Sequence, residues 1–223
     1  MHVSEALIVL AKTPRRGAVK TRLVPPLDDD EALRLYRAML RDTLALARRI
    51  VCGCPDRWAE LRVDRGARGL QVAPVRIATQ GDGDLGARLT RAFADAYRAG
   101  ARHAIAIGAD SPTLPDAVVE AGFAALRGGS SVCVAPANDG GYVLVGVALP
   151  AAPLFDGIPW STAGVLQATR AAAQACGAAV HELDGGYDVD DREGLTRLRD
   201  ELGEHPERAP ATARCVLRLK ALR

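Results

Sequence analysis

Ala6-Leu7-Ile8-Val9-Leu10-Ala11-Lys12-Thr13-Pro14-Arg15-Arg16-Gly17-Ala18-Val19-Lys20-Thr21-Arg22 joins an apolar run to a cationic loop. An apolar run of six residues, ended by a turn signal, describes a strand buried on both faces, the form strands take in a helix-covered parallel sheet. The loop behind it crowds Lys12, Arg15, Arg16, Lys20 and Arg22 together. Loops at the carboxyl ends of strands are where open α/β sheets bind ligands. Cations packed there repel one another until an anion arrives, and the anion expected is a nucleotide diphosphate or triphosphate. The loop is neither a Walker A sequence nor a Gly-x-Gly-x-x-Gly dinucleotide fingerprint.

Working outward, Asp28-Asp29-Asp30 offers a helix cap, and Leu33, Tyr36, Leu40, Leu44 and Ala47 recur on one helical face. Residues 51–70 carry Gly53, Pro55, Gly66 and Gly69 among charges, and no strand is expected there. Val72–Ala78 reads as a strand broken by Pro74, hence an edge strand or a bulge. The glycine-rich Gln80-Gly-Asp-Gly-Asp-Leu-Gly86 leads into a helix, and Ala104–Ala109 is a second buried strand ending at Asp110. Pro115 opens a helix that Gly128-Gly129 stops; strands at Ser131–Pro136 and Tyr142–Val147 flank Asn138-Asp-Gly-Gly141. Trp160-Ser161-Thr162 is expected to start a helix, Ala179–Leu183 a late strand, and Asp191 to cap a helix through Leu195, Leu198 and Leu202. The alternation predicts a three-layer α/β/α fold with a mostly parallel, mixed sheet. Residues 1–205 form a single domain on this reading, with 206–223 a basic helical extension packed on it.

Bulk properties remove several function classes. A chain of 223 residues, 48% hydrophobic and 25% charged, suits one globular α/β domain. A net charge of +2 gives no field to recruit nucleic acid or a membrane, and 4% aromatic residues leave few platforms for single strands. No run approaches the roughly 20 apolar residues of a membrane span, and no signal peptide is expected ahead of the first strand. Five scattered cysteines fit a reducing compartment, so a cytoplasmic location is expected. There is no Gly-x-Ser-x-Gly elbow. His103 and His181 fall beside or within strands, where a structural role is the simpler reading.

Asp110, Asp139, and the pair Asp188 and Asp190 each follow a strand. In a parallel sheet those ends converge on the rim that carries the basic loop. Magnesium takes oxygen ligands, typically one or two carboxylates plus substrate phosphates. Asp110, Asp188 and Asp190 are therefore the candidate metal ligands for Mg or Mn, with Lys20 and Arg22 neutralising phosphate charge. Simpler roles stand beside these: Asp110 as a turn residue, Gly140-Gly141 as a hairpin turn, and Gly81, Gly83 and Gly86 as tight backbone.

Seven stretches, in order, carry a resemblance. They are Ala11–Leu23, Leu35–Leu44, Gln80–Gly86, Gly108-Ala-Asp-Ser-Pro112, Asn138-Asp-Gly-Gly-Tyr142, Ile158-Pro-Trp-Ser-Thr162 and Asp188-Val-Asp190. The sequence resembles a bacterial family with the nucleotide-diphospho-sugar transferase (glycosyltransferase A-type) fold, often labelled uncharacterised or arsenosugar-biosynthesis glycosyltransferases. It is distantly similar to the guanylyltransferases of molybdenum-cofactor and 2-phospholactate metabolism. The resemblance implies nucleotide contacts from Lys12, Lys20 and Arg22, with Gly83, Asp84 and Gly86 beside them, and metal contacts from Asp110 and from Asp188 or Asp190. It places Asp139, Tyr142 and Trp160 toward the acceptor. The family's Asp-x-Asp-Thr-Pro-Glu-Asp-Leu is here Asp188-Val-Asp-Asp-Arg-Glu-Gly-Leu195, with both aspartates kept.

The candidate nucleotide and phosphate set is therefore Lys12, Arg15, Gly17, Lys20, Arg22, Gln80, Gly83, Asp84 and Gly86. Asp139, Gly140, Tyr142 and Trp160 stand on the acceptor side, and Asp139 and Lys20 are the candidate catalytic groups. The reaction expected is metal-dependent glycosyl transfer from a nucleoside-diphosphate sugar to a small-molecule acceptor. The alternative is nucleotidyl transfer from a nucleoside triphosphate to a phosphorylated small molecule, with release of pyrophosphate. No nucleic-acid or membrane partner is expected, and a homodimer is left open.

Overall fold

A computed structural model describes residues 4–64, 75–151 and 153–219. The opening apolar run is β1 (Glu5–Ala11), central in a seven-stranded sheet. Its neighbours are β2 (Arg57–Val63) and β4 (His103–Gly108), both parallel to it. β3 (Arg76–Thr79) pairs with β2 in parallel at one edge. Beyond β4 lie β6 (Tyr142–Ala148), β5 (Val132–Pro136) and β7 (Val180–Glu182), in that spatial order. β6 runs antiparallel to both β4 and β5, the reversal that adjacent strands around Asn138–Gly141 allow.

β2 corrects the sequence expectation. The segment expected to hold no strand is an interior one, in which Ala59, Leu61 and Val63 are fully buried. Its charges hid the pattern, because they too are buried and each has partners. Arg57 bonds Glu5 at 2.6 and 3.0 Å and Glu120 at 2.6 Å, and stacks over the Phe123 ring. Arg62 pairs with Glu60 and, at 2.8 Å, with Asp95. A buried charge is tolerable when its hydrogen-bonding capacity is met in this way. β3 is the expected edge strand; Val72, Pro74, Gly66 and Gly69 lie outside the described residues.

Helices cover both faces. α1 (Asp29–Val51) starts in a capping box, Glu31 N–H donating to Asp28 at 2.7 Å and Asp28 N–H to Glu31 at 3.2 Å. With α3 (Asp116–Arg127), it seals one face through Tyr36, Leu40, Val119 and Phe123 against Leu7 and Val9. α2 (Leu85–Arg98) and α4 (Val165–Ala175) cover the other, with Leu89, Phe93 and Ala173 against Ala6 and Ile8. α4 begins at Val165, so Trp160-Ser161-Thr162 form turns and not the expected helix start.

A third cluster lies outside α1. Leu35 and Met39 meet α5 (Arg192–Glu204) through Leu195, Leu198 and Leu202, and α6 (Pro210–Val216) through Ala213 and Val216. Leu23 and Leu27 of the basic loop and Val189 join the same cluster. Buried Asp42 of α1 accepts from Ala211 N–H (3.1 Å), Thr212 N–H and Thr212 Oγ1 (both 2.7 Å), holding the start of α6. Residues 220–223 of the expected C-terminal helix lie outside the described residues.

Candidate active site

β1, β4 and β5 point the same way, so the residues after them face one rim, and reversed β6 begins at that rim with Tyr142. Backbone bonds from Gly186 N–H to Pro136 O (2.8 Å) and from Val189 N–H to Asp110 O (2.9 Å) lay the later segment across the ends of β5 and β4. Asp188 and Asp190 are delivered there. The result is a cleft of about 510 Å³ whose basic lining residues are Lys12, Lys20, Arg22 and Arg88, and whose acidic ones are Asp110, Asp139, Asp188 and Asp190.

Lys20 is its electrostatic centre. The side chain is only 3% exposed; Nζ pairs with Asp110, bonds Asp190 at 3.0 Å and donates to Val189 O at 2.9 Å. Burial alone would depress its ammonium, but the two aspartates outweigh burial and hold it above the ordinary lysine value. Its backbone is left-handed, φ 50° and ψ 38°, which costs a non-glycine residue about 1–2 kcal/mol. Among the described residues, the other non-glycine with positive φ is Ser161 (φ 64°), which lines the same cleft. Strain of this kind gathers at functional sites.

Two residues set the loop's entry. The Tyr36 hydroxyl accepts from Lys12 N–H (2.7 Å) and donates to Lys12 O (3.0 Å), clasping that residue's backbone from α1. Burial, then the nearby carboxylate of Asp110, pushes its phenol upward. Thr13 bonds Asp64, just past β2, through both N–H (2.7 Å) and Oγ1 (2.8 Å). Gln80 lines the cleft, but its amide donates to Ala11 O (2.8 Å) and Arg62 O (3.0 Å), tying strand ends together.

Asp188 is half-buried, and its carboxyl is pushed up to about 6, first by burial and then by Asp190, Asp139 and Asp110. Four carboxylates repelling across one rim call for a cation. The donor set is all oxygen, which suits a hard divalent ion. Among the described residues no three such side chains are already gathered into a cage. Asp188, Asp190 and Asp110 are the carboxylates that could contribute to such a site, with ligands from elsewhere completing it.

Of the residues expected to face an acceptor, Asp139 is exposed, with Oδ1 accepting from Gly141 N–H at 2.9 Å. Tyr142 and Trp160 line the wall, and among the described residues the buried Trp160 Nε1 lacks a protein partner. Burial pushes the Tyr142 phenol up to about 12. Gly140 and Gly86 set this wall without lining it. A Cβ at Gly140 (φ 88°) would collide with the Ala163 carbonyl; one at Gly86 would collide with Phe155 O and sit 2.9 Å from Trp160 Nε1.

Other candidates stand apart from the lining. Asp84 caps α2 by accepting from Ala87 N–H at 2.9 Å, and Gly83 O accepts from Arg88 Nε at 3.0 Å. Gly17 (φ 69°) and Arg15 form an exposed turn, closed by Ala18 N–H donating to Arg15 O. The lining also includes Tyr36, Arg88 and Ser161, which sequence reasoning passed over. Tyr36 sits in an apolar helical stripe and reads as core; Arg88 reads as a solvated helix charge; a left-handed serine has no sequence signature.

A bacterial protein family described as "Uncharacterized protein conserved in bacteria (DUF2064)" matches residues 40–162. No curated protein matches the sequence. Among solved structures, a candidate nucleotide-diphospho-sugar transferase from Desulfovibrio desulfuricans G20 aligns with a TM-score of 0.85 at 28% identity, covering 97% of this chain and 95% of that one. CMP:2-keto-3-deoxy-manno-octonic acid synthetase complexed with CTP aligns at 0.57 and 11% identity, covering 91% and 99%. A protein of Mycobacterium tuberculosis H37Rv in complex with manganese aligns at 0.53 and 17%, covering 89% and 98%. At those lower identities the likeness is one of fold. No helix among the described residues is long and apolar enough to cross a membrane.

Proposed function

This chain belongs to the DUF2064 family of bacterial proteins and has the nucleotide-diphospho-sugar transferase-like fold, and from that footing we propose that it is a glycosyltransferase with a nucleoside-diphosphate sugar as donor. The observation that carries this reading is the buried Lys20 ammonium set between Asp110 and Asp190 at the rim where β1 and β4 end. Lys12, Arg22 and Arg88 border the same cleft and neutralise the diphosphate. Asp110, Asp188 and Asp190 would hold a divalent cation, Mg or Mn, which when bound would supply Lewis acidity toward the departing diphosphate. Lys20 donates to phosphate oxygens as charge builds on them. Asp139 keeps one oxygen on Gly141 N–H and turns the other toward an acceptor hydroxyl, orienting it or taking its proton. Trp160 and Tyr142 wall the acceptor side.

Incubation with a panel of nucleotide sugars and Mg or Mn should release nucleoside diphosphate from one of them. Failure to bind any of the panel by calorimetry would sink this reading. Nucleotidyl transfer is the second reading, favoured by four cations along one cleft, charge enough for a triphosphate, and by the CTP-bound structure of the same fold. Pyrophosphate release with a phosphorylated acceptor distinguishes it.

A further inference from the structure

Lys20 stands where a metal is expected to act. An ammonium has three N–H donors, and here all three are taken: one by Asp110, one by Asp190 at 3.0 Å, one by Val189 O at 2.9 Å. The ammonium is sealed in, with 3% exposure, while the Asp110 and Asp190 side chains are 43% and 44% exposed. The carboxylates thus meet the cleft on one side and the lysine on the other. Their nearest positive charge already belongs to the protein. Among the described residues no three-ligand cage stands ready for an ion. Lys20 also holds a left-handed backbone, closed by Leu23 N–H donating to Lys20 O at 3.0 Å, so its position is enforced.

We infer that Lys20 is the resident counter-ion of this rim, and that a divalent cation binds Asp110 and Asp190 only when the ammonium is drawn off them by an incoming polyphosphate. A doubly charged ion entering between the same two carboxylates meets the ammonium at short range, where repulsion is poorly screened. A di- or triphosphate removes the conflict by offering oxygens to both cations. Metal and nucleotide therefore bind with strong positive coupling, and each tightens the other by the same factor. This rests on the cleft being the nucleotide site of a transferase.

The test is Mn2+ binding to the intact protein, by electron paramagnetic resonance of free Mn2+, for wild type and Lys20→Met. Without nucleotide, Lys20→Met should bind Mn2+ about tenfold tighter than wild type or better, because its carboxylates have lost their counter-ion. Uridine or guanosine diphosphate should tighten Mn2+ binding to wild type by about tenfold. Equal or weaker Mn2+ binding by Lys20→Met overturns the inference while leaving the transferase reading intact. Silence of both proteins toward Mn2+, even with nucleotide, overturns the metal-dependent reading and this inference together. Should Lys20→Met be poorly folded, Lys20→Gln replaces it, and the rise in Tm on adding Mg2+ is compared within each protein. A larger rise in the variant supports the inference; an equal rise opposes it.

Discussion

Asp188 illustrates how a single residue carries the tension between folding and use. Its carboxyl is pushed up to about 6 by burial and three neighbouring aspartates, against about 3.9 in an unfolded chain. Between those values the folded protein holds more protons than the unfolded one, so the Asp188 contribution to stability falls as pH rises from about 4 to 6. Above that window the penalty is fully present. Asp188→Asn should therefore stabilise the ligand-free protein at pH 7.5 by about 1–2 kcal/mol, a figure reduced for partial exposure, and change it little near pH 4. Denaturant titrations at the two pH values check this, and an equal effect at both would contradict it. The chemistry-bearing residue types at this scale were legible: Lys20, Asp110, Asp139, Asp188 and Asp190 follow strands and can be read as such. Tyr36 could not, since its apolar ring serves the core while its hydroxyl clasps Lys12, and periodicity registers only the ring.

Among the elements, the cleft wall carrying Tyr142 and Trp160 depends on two segments that touch. Leu166 N–H donates to Gly140 O at 2.9 Å, and Gly140 has no room for a side chain beneath Ala163. Gly140→Ala should cost about 2 kcal/mol or more and shift the fluorescence of Trp160. Gly157→Ala is the control: φ is 70° there, yet nothing lies within 4 Å, so only the backbone term of about 1 kcal/mol remains. Equal losses would mean that the close approach at Gly140 contributes nothing. The glycines around residue 140 were readable as a turn, but not that the turn is pressed against residues 161–164. Most elements were foreseeable from period and punctuation. β2 was missed because Arg57 and Arg62 break a hydrophobic reading, and their partners Glu5, Glu120 and Asp95 come from elsewhere in the chain.

For the whole molecule, the shared cluster outside α1 links the C-terminal helices to the site. Leu23 of the basic loop and Val189 between the two rim aspartates pack with Leu198, Val216 and Met39. Asp42 fastens α6 to this assembly with three hydrogen bonds. Asp42→Ala strands those donors and should cost about 2–3 kcal/mol. It should also raise proteolysis beyond His205 and weaken nucleotide binding, because the same cluster backs Lys20 and Asp190. Lost stability with unchanged nucleotide affinity would show the C-terminal helices to be mere cover.

An alternating α/β chain with a mostly parallel sheet, a cationic loop after the first strand and carboxylates after later ones could all be read from the order of residues. Those features are written in local period, turn chemistry and order along the chain, which short-range physics reads directly. Folding alone decided that Lys20 would lie buried between Asp110 and Asp190, and that two charged arginines would sit inside the sheet. Each is a pairing of groups distant in sequence. The energy that selects it depends on a separation and a local dielectric that exist only after the chain has closed.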